Sequence, residues 1–208
     1  NLRYTINTYA MRRFSFLFFL IFIFACKQKQ DPSATVKAEN TDYLVSLDGI
    51  GPVKTGMSQE ELEKILGQKI PLTNPTDNSS GSWMDSAVIR YKDAELKLSF
   101  VRTYAYDKPD SFHMRLNDIT TKSPHVKTAG GIGIGSTKKE IVEAFDQYRL
   151  YMAPEFIMTN DTTWERSKTL YSISVREARE GPQIVFHINL KDKKVYSIEV
   201  GTYYDDQE

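Results

Sequence analysis

Cysteine occurs once in the 208 residues, at Cys26. A lone thiol excludes a disulfide framework and a thiolate-rich metal site, so the domain must hold itself together by its core. Histidine is almost as scarce. His113, His125 and His187 do not converge in sequence, and neither H-E-x-x-H nor G-x-S-x-G is present. A surplus of either charge is also missing, with 27 basic and 27 acidic residues. Arg3, Arg12 and Arg13 precede Cys26 and no acid does, so the chain from Cys26 onward carries three more acids than bases. Such a balance argues against nucleic acid, which needs a basic face, and against an electrostatic grip on anionic lipid. Long apolar runs are confined to Phe14–Phe24, interrupted only by Ser15. That run is too short for a membrane span, which takes roughly 20 residues.

What is present begins with MRRFSFLFFLIFIFAC, Met11 to Cys26. A positive start (Arg12, Arg13), an apolar stretch and a small residue at the cut site define a secretory signal. Ile23-Phe24-Ala25-Cys26 resembles the lipobox of bacterial lipoprotein signals. The resemblance implies cleavage before Cys26, a diacylglyceryl thioether on its sulfur and an acyl group on its new amine. The partner of the N-terminus would then be a membrane, held through those acyl chains, since two or more chains anchor stably. Lys27 stands where an Asp would resemble an inner-membrane retention signal, and no acidic run follows. The expectation is a Gram-negative outer membrane, facing the periplasm, with the cell surface left open. Residues 1–10 add nothing to such a signal and are read as upstream translation, residues 11–25 as the signal peptide. Residues 26–40 are polar, offer only Val36 as a large apolar group after Cys26, and read as a tether.

An internal repeat follows. GIGPVKTGMSQEELEKILG (Gly49–Gly67) and GGIGIGSTKKEIVEAFDQY (Gly130–Tyr148) align with an offset of 79 residues. Ser58-x-x-Glu61 and Thr137-x-x-Glu140 are both capping boxes that open short helices. Leu62, Ile65 and Leu66, and in the second copy Ile141, Val142, Phe145 and Tyr148, form the apolar stripes. Alternating runs come after each helix: Ala87–Tyr91, Leu96–Tyr106 and Phe112–Leu116, then Tyr171–Val175, Ile184–Leu190 and Tyr196–Val200. Clean alternation predicts antiparallel sheet with one wet face. The expected fold class is therefore α+β: two tandem helix-plus-three-strand antiparallel units, 41–127 and 128–208, able to share one sheet with the helices on one face. Tyr151 to Thr163 reads as a loop.

The Gly, cap residue, Glu and apolar pair, then a Trp (Trp83, Trp164) and a meander closing on Val195-x-x-Ile198-x-Val200, resemble a known pattern. It is that of the tandem αβ modules of the β-lactamase-inhibitor-protein-like group, which includes small outer-membrane assembly lipoproteins. The resemblance runs from Gly49 to about Thr202. It implies a protein that binds other proteins through its sheet or loops and catalyses nothing.

Catalytic motifs are not met. The glycine-rich run Gly130–Gly135 opens a helix, but Ser136 stands where a phosphate loop has its Lys, and Lys138 comes too late. The run reads instead as the repeat's turn into its helix. His113 and His187 read as solvated strand residues. No cofactor, no metal and no enzymatic activity is expected. The aromatic residues point to a protein partner in the envelope, since Tyr and Trp favour binding surfaces. Trp83, Tyr104, Tyr106, Trp164, Tyr203 and Tyr204 are the candidate contacts. The alternative is a periplasmic carrier of a small hydrophobic ligand, held between sheet and helices.

Overall fold

The computed structural model describes residues 41–73, 83–104, 112–160 and 162–204. The segments read as upstream translation, signal and tether, Cys26 included, lie outside these residues, as does Tyr106.

The chain enters with a 3₁₀ turn, Thr41–Tyr43, and three very short strands, β1 (Leu44–Ser46), β2 (Gly49–Ile50) and β3 (Val53–Lys54). Helix α1 (Gln59–Leu66) follows, then β4 (Trp83–Tyr91), β5 (Ala94–Tyr104), β6 (Phe112–Thr121) and β7 (Lys127–Thr128). Helix α2 (Lys138–Ala144) leads into β8 (Arg149–Asn160), β9 (Thr163–Arg176), β10 (Gly181–Asn189) and β11 (Lys194–Tyr203).

Both helices start as their capping boxes dictate. The Ser58 hydroxyl accepts from Glu61 N at 3.2 Å, while Ser58 N donates to Glu61 Oε2 at 2.8 Å. Thr137 repeats the pattern with Glu140, at 3.4 and 2.7 Å. Gly67, at φ 67°, closes α1 in the left-handed conformation and donates to Glu63 O. With only two turns apiece the helices need tertiary support. Each supplies one fully buried side chain, Leu62 and Ile141.

Two turns 79 residues apart dock alike on the strands. Gly56 N donates to Leu116 O (2.7 Å) and Leu116 N to Met57 O (2.8 Å); Gly135 N donates to Val195 O (2.9 Å) and Val195 N to Ser136 O (2.8 Å). The amides of Gly131, Ile132, Gly133 and Gly135 in the second glycine run all donate to groups inside the protein.

The expected fold class is corrected. The described residues are mostly β, with a four-stranded sheet β3-β2-β1-β7, a seven-stranded sheet β4-β5-β6-β11-β10-β9-β8 and only two α-helices. This is not an α+β fold of two helix-plus-three-strand units. Three strands of the large sheet follow α1 but four follow α2, because Tyr151–Thr163, expected as a loop, lies almost wholly in β8 and its turn, and β8 pairs with a β9 that extends the expected strand Tyr171–Val175 back to Thr163. The small sheet, closed by the parallel pair β1–β7, has no counterpart in that scheme. Its strands of two or three residues are too short to display a period, and the hairpin's alternation is broken by register shifts at Pro154/Phe156 and Met158/Asn160.

The large sheet is antiparallel throughout, and β6 and β11 join its halves through Ile198↔Thr121 and Val200↔Ile119. One face carries the core: Leu96, Leu98, Phe100, Leu116, Ile119, Ile173, Phe186, Ile188 and Ile198 are fully buried, in one cluster with Leu62 and Ile141. Among the described residues no α-helix covers the opposite face, since both pack into this cluster.

Candidate functional site

Side chains alternate across a strand, so the residues between the core positions point to the uncovered face. Cross-strand register puts Lys97, Thr120, Glu199, Val185, Ser174 and Tyr151 in one row over six strands. A polar hollow of about 300 Å³ on this face is lined by Ser99, Asp118, Thr120 and Glu199, among others.

Beside the hollow three strands converge on one imidazole. His187 on β10 places Nδ1 3.0 Å from Glu155 Oε1 on β8 and Nε2 3.6 Å from Glu199 Oε2 on β11. Tyr196 donates its hydroxyl to Glu155 Oε2 at 2.9 Å. The bulge at Glu155 lets this carboxylate reach across β9 to β10. Burial disfavours a charged imidazole, but Glu199 and then Glu155 outweigh it, and His187 titrates above its ordinary value. Burial and Glu155 together push the Tyr196 phenol up to about 12. Burial also raises Asp118, with Glu199 adding to the shift against the Asn117 hydrogen bond. His187 is therefore a clamped residue on the uncovered face rather than a solvated one. Among the described residues, no group of three or more His, Cys, Asp and Glu is arranged to hold a metal ion.

A second feature lies at the β8 edge. β10 pairs only with Leu170–Arg176 of β9, so the outer half of the β8–β9 hairpin extends past the sheet as a two-stranded arm. Phe156, Ile157, Met158 and Trp164 are exposed there, Phe156 and Trp164 by about 60%. Arg166 lies over the Phe156 ring at 5.9 Å. At the root of the arm an open groove of about 750 Å³ has an almost wholly apolar floor, built by Met152, Pro154, Leu170, Tyr171 and Leu190. Lys138, Lys139 and Lys193 stand at its rim.

The aromatic candidates separate on this frame. Trp164 projects from the arm. Tyr204, just past β11, is 65% exposed. Tyr203 is half-buried, its ring centroid 3.4 Å from the guanidinium carbon of Arg176. Trp83 begins β4 and Tyr104 ends β5, at the far edge of the same sheet. Trp83 and Trp164, on the two edge hairpins, are not brought together by this strand order. Sequence reasoning passed over Phe156, Ile157 and Met158; the signal for them was a consecutive apolar trio beside a Trp-bearing run, hidden by the loop assignment.

A scan against protein-family models gives no match, and neither the curated proteins nor the solved structures yield one.

Proposed function

We propose that this chain is a non-enzymatic lipoprotein of a bacterial envelope that binds another protein through the β8–β9 arm. The observation that carries the reading is the arm itself: a two-stranded extension with Phe156, Met158 and Trp164 exposed on one face and Ile157 on the other. An isolated ribbon of this kind has marginal stability of its own, and a contiguous exposed apolar patch marks an interaction surface. Trp and Phe are suited to anchoring in a partner's pocket, and the edge strand β8 offers backbone groups beside them. Tyr204, Tyr203, Trp83, Tyr104 and Tyr106 remain proposed peripheral contacts. Cys26 would carry the acyl chains that hold the protein to the outer membrane, on its periplasmic side.

The test is site-specific photo-crosslinking of the full chain in cells, with the photoreactive residue at 158. A discrete adduct is expected, and Trp164→Ala should remove it. The same probe at Lys97, on the far part of the sheet, should give none. No adduct at 158, or one indifferent to Trp164→Ala, would sink the reading. Metabolic labelling with a clickable fatty acid, wild type against Cys26→Ala, tests the anchor separately.

A second reading, a carrier of a small apolar ligand, is favoured by the groove at the arm's root. Its volume lies in the range of small-ligand sites, and its apolar floor with a few polar rim groups has the usual composition of one.

A further inference from the structure

We propose that the groove at the root of the β8–β9 arm binds a long-chain fatty acid, its alkyl chain on the apolar floor and its carboxylate among the lysines of the rim. The inference rests on the second reading above and names its ligand. The floor residues come from three places: Met152 and Pro154 from β8, Leu170 and Tyr171 from β9, and Leu190 from the β10–β11 turn. Met152 and Leu190 are nearly half exposed, so the unliganded groove leaves apolar surface in water that an alkyl chain would cover.

The charge around the groove has one sign. Lys138, Lys139 and Lys193 line it and no carboxylate does. The acids of α2 are occupied elsewhere. Glu140 is turned back onto Thr137 in the capping box, at 2.7 Å from N and 2.9 Å from Oγ1. Glu143 pairs with Lys139 at 3.7 Å, a contact in which both side chains are well exposed. Among the described residues no ion pair engages Lys138 or Lys193. Lys193 also has φ 60°, a conformation in which Gly or Asn is the ordinary choice. The other described non-glycine residue with positive φ, Lys92, uses its ammonium on Asp42. That of Lys193 is left for the groove. An uncharged alkyl ligand would make no use of this rim, and a dicarboxylate would make no use of the floor.

The experiment uses the full chain in phosphatidylcholine nanodiscs, with a diazirine-bearing palmitate as probe and the labelled residues mapped by mass spectrometry. Labels are expected on Met152, Leu170 or Leu190. Unlabelled palmitate should compete at least tenfold better than its methyl ester. Leu190→Glu and Met152→Glu, both at exposed positions, should each cut labelling at least tenfold. Lys138→Glu combined with Lys193→Glu should cut palmitate labelling at least fivefold with an unchanged thermal melt. Labels confined to the arm's tip or to residues before 41 would overturn the proposal, as would equal competition by the ester or indifference to the lysine reversals. Labelling seen only in Cys26→Ala would overturn it in favour of the chain's own acyl group. Trp164→Ala should leave groove labelling intact, so failure of this inference and failure of the arm as a protein-binding surface are told apart.

Discussion

Nδ1 of His187 lies 3.0 Å from Oε1 of Glu155, and this contact ties the edge strand β8 to the interior strand β10 across β9. Glu155 occupies the bulge from which the exposed arm departs, so the arm's root is fixed by a titratable pair. The groups facing the imidazole are Glu155 from β8 and Glu199 from β11; Tyr196 bonds to Glu155, Lys122 lies over the Tyr196 ring and Asp118 of β6 lies beside Glu199.

A pH dependence follows. The folded-state pKa of His187 is raised, because Glu199 and Glu155 outweigh the burial that opposes charging. A raised value means that the stabilisation is fully present below the unfolded value of about 6.5 and is lost as pH rises through the folded value. Thermal unfolding should thus show a higher Tm at pH 5.5 than at pH 8.5, and His187→Gln should flatten that difference. Below pH 6 the variant should be less stable by on the order of 2 kcal/mol, the scale of hydrogen bonds to charged groups. Asp118, also raised, acts with the same sign in a window that opens at the ordinary carboxylate value, and Asp118→Asn separates the two.

Arg176 is buried between two tyrosines, its guanidinium carbon 3.4 Å from the Tyr203 ring centroid and 4.5 Å from that of Tyr151. Its Nε donates to Gln183 Oε1 at 2.8 Å. A partly desolvated cation on an aromatic face gains about 2 kcal/mol. Tyr203→Leu should cost about that much in urea unfolding, whereas Tyr203→Phe, which keeps the ring, should stay within about 0.5 kcal/mol. Equal losses in both would show that the hydroxyl, not the ring, matters.

The helix caps give a paired test. Ser58→Ala and Thr137→Ala should each destabilise by about 1 kcal/mol, while Ser58→Asp and Thr137→Ser should be near neutral. Chemical denaturation of the four variants checks this; a silent Ser58→Ala would mean that α1 contributes nothing to the cooperative unit.

Two glycines should respond differently to the same substitution. Gly51, at φ 54°, would put a Cβ 2.1 Å from the backbone oxygen of Asp42, whereas Gly135, at φ 90°, would meet nothing within 4 Å. Gly135→Ala therefore carries only the conformational penalty, about 1–2 kcal/mol. Gly51→Ala must in addition displace backbone, and should cost at least twice as much by thermal or urea unfolding.

Much of the local structure was legible in the chain. The capping boxes, Gly67 and the turn at Lys92-Asp93 are decided by neighbours a few residues apart, and β4, β5, β6, β10 and β11 carry their alternation openly. The small sheet was not legible, because strands of two or three residues show no period and β1 finds β7 some 80 residues away. In the β8–β9 hairpin the alternation of Tyr171–Val175 was legible and the rest was not. Pro154 and two bulges break its pattern, and its outer half lacks the buried face that makes a strand recognisable. The Glu155–His187–Glu199 cluster was invisible for another reason: its members are surface-type residues on three strands, and only sheet order and one bulge bring them within hydrogen-bonding reach.

The sequence by itself determined where helices start, where the turns fall and which side chains seek the core, since these rest on local hydrogen bonds and on the period of apolar residues. Tertiary structure alone decided that the protein is mostly β, that a ribbon of exposed aromatic and aliphatic side chains extends past the sheet, and that lysines from α2 and the β10–β11 turn rim one apolar groove. Those outcomes depend on pairing between distant strands, whose energies are set by register and burial in the assembled sheet rather than by any stretch of chain alone.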